Sequence, residues 1–184
     1  TSWSAAANVK KVFRSTRLTL RGTCSYSYNK ALASQNGTEG YLRYSAASVQ
    51  AGASWDKLGW IAADLACAGN ITWKRRDVFS PSNNVLKNAY CSLRLDFMPS
   101  AKLRIYADAA GTTCEITHGR YSTDFFVNAG ARMEVMKTLA FTLSAVNLLD
   151  RKSYETSAYR GANYSYFSVP LRGRTVMFSA TLKF

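Results

Sequence analysis

The chain ends on Arg-Thr-Val-Met-Phe-Ser-Ala-Thr-Leu-Lys-Phe, residues Arg174 to Phe184. Val176, Phe178, Ala180, Leu182 and Phe184 are apolar. Thr175, Ser179, Thr181 and Lys183 fall between them, and Met177 alone breaks the pattern. A repeat of two residues gives a strand one apolar and one polar face, because successive side chains point to opposite sides. No helix has that period.

The same alternation recurs along the chain. Trp3, Ala5, Ala7 and Val9 share a face. Leu18, Leu20, Cys24, Tyr26 and Tyr28 oppose Arg17, Thr19, Arg21, Thr23, Ser25 and Ser27. Val49, Ala51, Ala53 and Trp55 oppose Ser48, Gln50 and Ser54. Further segments follow at Ile61–Lys74, Val85–Phe97, Leu103–Ala109, Asp124–Val135 and Leu139–Ala145, and a final strand is expected from Tyr164 to Phe184. This predicts about nine antiparallel strands and no helix. Turns near Lys11–Ser15, Asp56–Leu58, Pro99–Ala101 and Lys137–Thr138 read as short. Segments Lys30–Gly40, Lys74–Asn84, Glu115–Ser122 and Leu148–Asn163 read as long polar loops. Short turns on one rim and long loops on the other are the habit of an up-and-down transmembrane β-barrel, whereas a β-sandwich has no need of that rhythm.

Hydrophobic residues make up 47% of the 184, yet no run approaches the roughly 18 apolar residues of a spanning helix. Apolar content dispersed as alternation is how a barrel escapes a hydropathy scan. The net charge is +13, but the basic residues are scattered, with small groups at Lys10–Lys11, Lys74–Arg76 and Arg172–Arg174. Scatter at strand ends differs from the continuous groove that nucleic acid requires. Thr1 is followed by neither a basic segment nor an apolar one, so no secretory signal is read there.

Four cysteines, Cys24, Cys67, Cys91 and Cys114, make no C-x-x-C pair. Cys24, Cys67 and Cys91 fall on apolar faces, where cysteine serves as a small hydrophobe. Cys67 and Cys91 are also equidistant from Phe79, which would set them directly across neighbouring strands and allow a disulfide. Cys114 and the lone His118 have no second ligand pair, so no metal site is read. Serines lack a G-x-S-x-G setting and no phosphate loop occurs, so the chain is read as no enzyme and no cofactor is implied. On the polar face Asp96 and Asp108 are expected to pair with Arg94 and Arg104.

The carboxy-terminal third carries two motifs. Val146-Asn-Leu-Leu-Asp-Arg-Lys-Ser-Tyr-Glu155 resembles, with one more residue before its tyrosine, the N-L-[FL]-[DN]-x-x-Y signature of TonB-dependent outer-membrane receptors, and Leu171-Arg-Gly-Arg-Thr-Val-Met-Phe-Ser-Ala-Thr-Leu-Lys-Phe184 resembles their closing strand. The texture is most similar to receptors of the Bacteroidetes type. The resemblance implies barrels of about 22 strands with an amino-terminal plug. It also implies energy-driven import of a scarce ligand (an iron chelate, cobalamin or a glycan) across the bacterial outer membrane. Residues 1–184 then correspond to the carboxy-terminal portion of the barrel, without plug or earlier strands. The implied partners are outer-membrane lipid and lipopolysaccharide, the barrel-assembly machinery reading Phe184 as terminal aromatic, the rest of the barrel and plug, and an inner-membrane energy-coupling protein; no nucleic acid is implied.

The ligand-facing candidates are the aromatics and arginine of the segment Arg151–Phe167: Tyr154, Tyr159, Arg160, Tyr164 and Tyr166. Rings beside a guanidinium suit sugars or anionic chelates, and the same tyrosines also suit an interfacial girdle. Two other readings stand beside this one. One is a small complete barrel of roughly eight to ten strands acting as a passive pore or structural protein. The other is a soluble basic β-domain that binds nucleic acid.

Overall fold

The computed structural model describes residues 1–35, 37–56, 58–75, 84–117, 119–160 and 163–182, with the side chains of 35, 117, 158–160 and 163 left out. Phe184, His118, Arg76 and Phe79 lie outside the described residues, as do the side chains of Tyr159 and Arg160.

The alternating segments form strands β1 (Ser2–Phe13), β2 (Leu18–Gln35), β3 (Thr38–Trp55), β4 (Ile61–Lys74), β5 (Asn84–Ser100), β6 (Leu103–Thr117), β7 (Arg120–Met136), β8 (Leu139–Val146), β9 (Ser153–Arg160), β10 (Asn163–Pro170) and β11 (Thr175–Leu182). Nine of them make one antiparallel sheet in the order β1-β2-β3-β4-β5-β6-β7-β8-β11, and β9 with β10 makes a separate hairpin. The sheet is open: β1 pairs with β2 alone and β11 with β8 alone. The structure is thus all-β and up-and-down over its first eight strands, without barrel closure.

Three expectations change. The final strand is two strands in two sheets, β10 and β11, separated by Leu171–Arg174. Pro170, which has no N–H to extend a ladder, is the last residue of β10, and Gly173 sits in the break. The supposed loop Leu148–Asn163 holds β9. The supposed loops Lys30–Gly40 and Glu115–Ser122 are mostly strand, since pairing runs out to Gln35 with Thr38 and to Thr117 with Arg120. Gly37 and Gly119, at φ 77° each, supply the positive φ these tight reversals need.

Registers place the apolar sets of the nine strands of the large sheet on one continuous face. One rung reads Gly22, Ala51, Cys67, Cys91, Gly111, Phe125, and the next toward the turn rim reads Leu20, Ala53, Leu65, Leu93, Ala109, Val127. No second layer covers this face among the described residues. Phe178 is 68% exposed, Leu182 53%, Phe125 52% and Leu93 40%. The buried hydrophobics among the described residues are Leu42, Leu86, Cys114 and Ala140, far less core than a water-soluble domain of this length builds.

Aromatics frame the face at two levels. Toward the short turns stand Phe13, Trp55, Trp60, Phe97, Phe141 and Phe178, with Trp60 edge-on to Phe97 at 5.5 Å and Phe141 stacked on Phe178 at 5.6 Å. Toward the other rim stand Trp3, Tyr26, Tyr28, Trp73 and Tyr121, with Trp3 and Tyr26 centroids 5.1 Å apart. Ten residues of β1 separate Trp3 from Phe13, which is about 33 Å along a strand and about 25 Å in height at a barrel's usual tilt. Lys11, beside Phe13, and Lys87 are the basic side chains that fall on this face within the frame.

Cys67 and Cys91 are direct cross-strand partners on this face, with Cα atoms 4.1 Å apart and sulfurs bonded. Their disulfide staples β4 to β5.

Candidate functional site

The opposite, polar face is tied by charge. Asp96 accepts hydrogen bonds from Arg94 (3.1 Å) and Arg104 (2.8 Å) on either side. Asp108 stands across from Arg94 and accepts from the Asn128 amide at 2.9 Å, so the two aspartates do not share a site. Arg21 reaches Asp64 and Ser54, and Arg132 faces Glu134 at 3.6 Å. The arginines of these pairs are 41–53% exposed, so each pair contributes little in water and mainly fixes side-chain direction.

At the β8–β9 junction the two carboxy-terminal motifs meet. Asn147 is buried and takes a positive φ of 55°. Its amide donates to the carbonyls of Arg151 (2.8 Å) and Arg172 (2.9 Å), and its side-chain oxygen accepts from the Arg151 N–H. Its own N–H donates to the Asn128 side-chain oxygen at 2.9 Å, which links the junction to Asp108 in the polar ladder. Asp150, also at positive φ, accepts from the Arg174 N–H and the Lys152 ammonium at 2.8 and 2.9 Å. Those bonds, the Arg174 N–H first, hold its carboxyl below the ordinary aspartate range. A Cβ on Gly173 would lie 2.7 Å from both the Asp150 oxygen and the Lys152 nitrogen, so a larger residue there would make the tips of that pair shift. Arg174 closes the knot by donating to the Leu148 carbonyl. Side chains with short polar reach at Asn147 and Asp150 thereby satisfy backbone groups that no ladder serves.

The knot aims the β9–β10 hairpin back across the polar ends of β6 and β7. Cys114 donates to the Glu155 carbonyl, Ser157 to the Glu115 carbonyl at 2.7 Å, and the Glu155 N–H to Asp124. Tyr154 packs against Phe126 at 6.2 Å. Under this cover lies a cavity of about 370 Å³ lined by Ser48, Gln50, Asn70, Asn88, Thr112 and Tyr154, among others. The side-chain oxygen of Asn88 is buried there without a hydrogen-bond partner. An amide- and hydroxyl-lined cavity with a tyrosine wall and no charged lining residue suits an uncharged polar guest.

The candidate tyrosines do not converge. Tyr154 lines the cavity. Tyr164 and Tyr166 lie on the hairpin's opposite face, where the Tyr164 hydroxyl donates to the Ile116 carbonyl. A hydrogen bond with Glu155 raises the Tyr166 phenol above its ordinary range. The sequence reading placed Ser48, Gln50, Asn70 and Asn88 on the polar face but had no signal that a hairpin would roof them. Comparison of the chain with protein families, with characterised proteins and with solved structures produced no match.

Proposed function

We propose that the chain is part of an outer-membrane β-barrel, the carboxy-terminal portion of an energy-coupled receptor that imports a scarce ligand in a bacterium. The observation that carries the membrane reading is the uncovered apolar face framed by two levels of aromatics, ten residues apart on β1, about 33 Å along the strand; a barrel's usual tilt would make that the height of an outer-membrane apolar band. Water would penalise so large an exposed apolar surface, and acyl chains would not. The polar face then lines the lumen, and the cavity beneath β9 opens to it.

The receptor reading rests on the resemblance of the two motifs, and their meeting in one knot through Asn147 and Asp150 supports it. A polar hairpin held over the lumen by such a knot is well placed to touch an incoming ligand. Further strands against β1 and β11 would complete the ladder, because open edges in lipid leave backbone groups unsatisfied.

Density-gradient separation of envelopes from the producing cells tests the location. The chain is expected with the outer membrane, and recovery in the soluble fraction would overturn the reading. Uptake by those cells separates receptor from passive pore: import that stops when a protonophore collapses the proton-motive force fits the receptor, and import that continues fits the pore.

A further inference from the structure

The apolar face is grooved. Small side chains fall together where β3 to β6 cross: Ala51, Cys67, Gly69, Ala89 and Gly111, walled by Leu93 and Phe125. The hollow has a volume of about 540 Å³ and continues past Val49, Gly69 and Ala89 into a second one of about 360 Å³ that ends at Lys87 and Tyr121. From Leu93 to Lys87 the groove follows six residues of β5, about 20 Å along the strand, the reach of one acyl chain.

Charge is concentrated at one end of it. Lys87 stands at the mouth, across from Ile71. Four residues beyond Ile71, just past the end of β4, is Arg75, whose N–H bonds the Arg43 carbonyl, and Arg43 is the register partner of Lys30. No carboxylate forms an ion pair with any of these four among the described residues. Two acids share that face among the described residues: Glu39, two side chains beyond Arg43 on β3, and Glu115 opposite Tyr121, which is buried and accepts the Gly119 N–H.

We propose that this groove is a binding site for an anionic membrane lipid, one acyl chain lying over Gly69 and Ala89 and its headgroup phosphate held by Lys87 and Arg75. The inference rests on the membrane reading above. A wholly apolar occupant, such as a neighbouring barrel, brings the four cations no counter-charge, and a soluble anion leaves the groove uncovered; a phospholipid matches both ends. Each cation near a bilayer surface strengthens such binding by about fivefold.

The protein as the producing cells make it, purified into phosphatidylcholine nanodiscs carrying trace spin-labelled lipid, provides the test. Labelled phosphatidylglycerol is expected to show a motionally restricted fraction that labelled phosphatidylcholine lacks. Lys87→Gln with Arg75→Gln should lower its affinity by about twentyfold. Gly69→Leu, at a position with no atom within 4 Å of an added Cβ, should fill the groove and reduce restriction with the charges intact. An inserted chain that restricts both lipids alike overturns this inference alone. A chain that stays in water and open to protease beside either lipid overturns the membrane reading and this inference together.

Discussion

The hydroxyl of Tyr106 occupies the place where its cross-strand partner Gly130 would carry a Cβ: such an atom would sit 2.5 Å from that oxygen and 2.8 Å from the Leu143 carbonyl. Gly111 and Phe125 repeat the arrangement on the opposite face of the same two strands, with 2.9 Å to the ring. Glycine lets an aromatic lie across the neighbouring strand, and β6 and β7 use the device once per face.

Gly130→Ala is therefore expected to destabilise the folded chain by about 1–3 kcal/mol, since the Leu143 carbonyl is backbone and cannot rotate aside. Gly69→Ala, with open space around it, should change stability by less than about 0.5 kcal/mol. Urea unfolding in lipid vesicles, followed by tryptophan fluorescence, compares the two. Equal effects would contradict the packing described.

Adjacent residues on β5 discriminate the two faces. Leu93→Arg places a guanidinium on the apolar face and should cost about 2–4 kcal/mol in a bilayer. Ser92→Arg, one residue away and on the polar face, should be tolerated within about 1 kcal/mol. A soluble sheet would show no such dependence on the presence of lipid.

Asn147→Ala removes three hydrogen bonds and leaves the Arg172 and Arg151 groups without those partners. A loss of about 2–4 kcal/mol is expected, concentrated in the hairpin. Hydrogen exchange should show β9 and β10 losing protection while β2 and β3 keep theirs.

Asp150 gives the junction an acid limit. Its carboxyl ionises at lower pH in the native state than in the unfolded chain, so the unfolded state binds more protons in the interval between. The contribution is complete above about pH 4 and is lost as the pH falls through the lowered native value. Asp150→Asn should abolish this part of the acid sensitivity, as read from hydrogen exchange at Arg174 across the acid range.

Reduction of Cys67–Cys91 opens a link spanning 24 residues and is expected to cost about 3 kcal/mol by the loop-entropy relation. Mass spectrometry after thiol labelling should count four modified cysteines in the reduced chain and two in the native one, Cys24 and Cys114 being free.

The strands were legible because their alternation is local. Leu18 to Tyr28 or Ile61 to Trp73 needs no partner to declare its two faces, and the equal spacing from Phe79 gave the β4–β5 register. The hairpin tips were less so, although the Asn36-Gly37 dipeptide is a strong turn signal that the polar content of Lys30–Gly40 obscured. The break at Leu171–Arg174 was hidden because Tyr164–Pro170 and Thr175–Leu182 alternate alike. Only the long-range bonds of Asn147 and Asp150 separate them. The cavity was illegible for the same reason: Asn88 and Tyr154 meet through a fold-back encoded 59 residues downstream of Asn88, at Asn147.

The β2–β3 ribbon runs on to Gln35 past the rung of Trp3 and Tyr28, with Tyr41 on its outer part, about 23 Å farther along the strand. With Gly37 near its tip, the ribbon continues past the last β3–β4 pair, Tyr44 with Lys74. Under the outer-membrane reading, a short epitope inserted after Gly37 should be stained by antibody on intact, unpermeabilised cells, and staining only after permeabilisation would count against that reading.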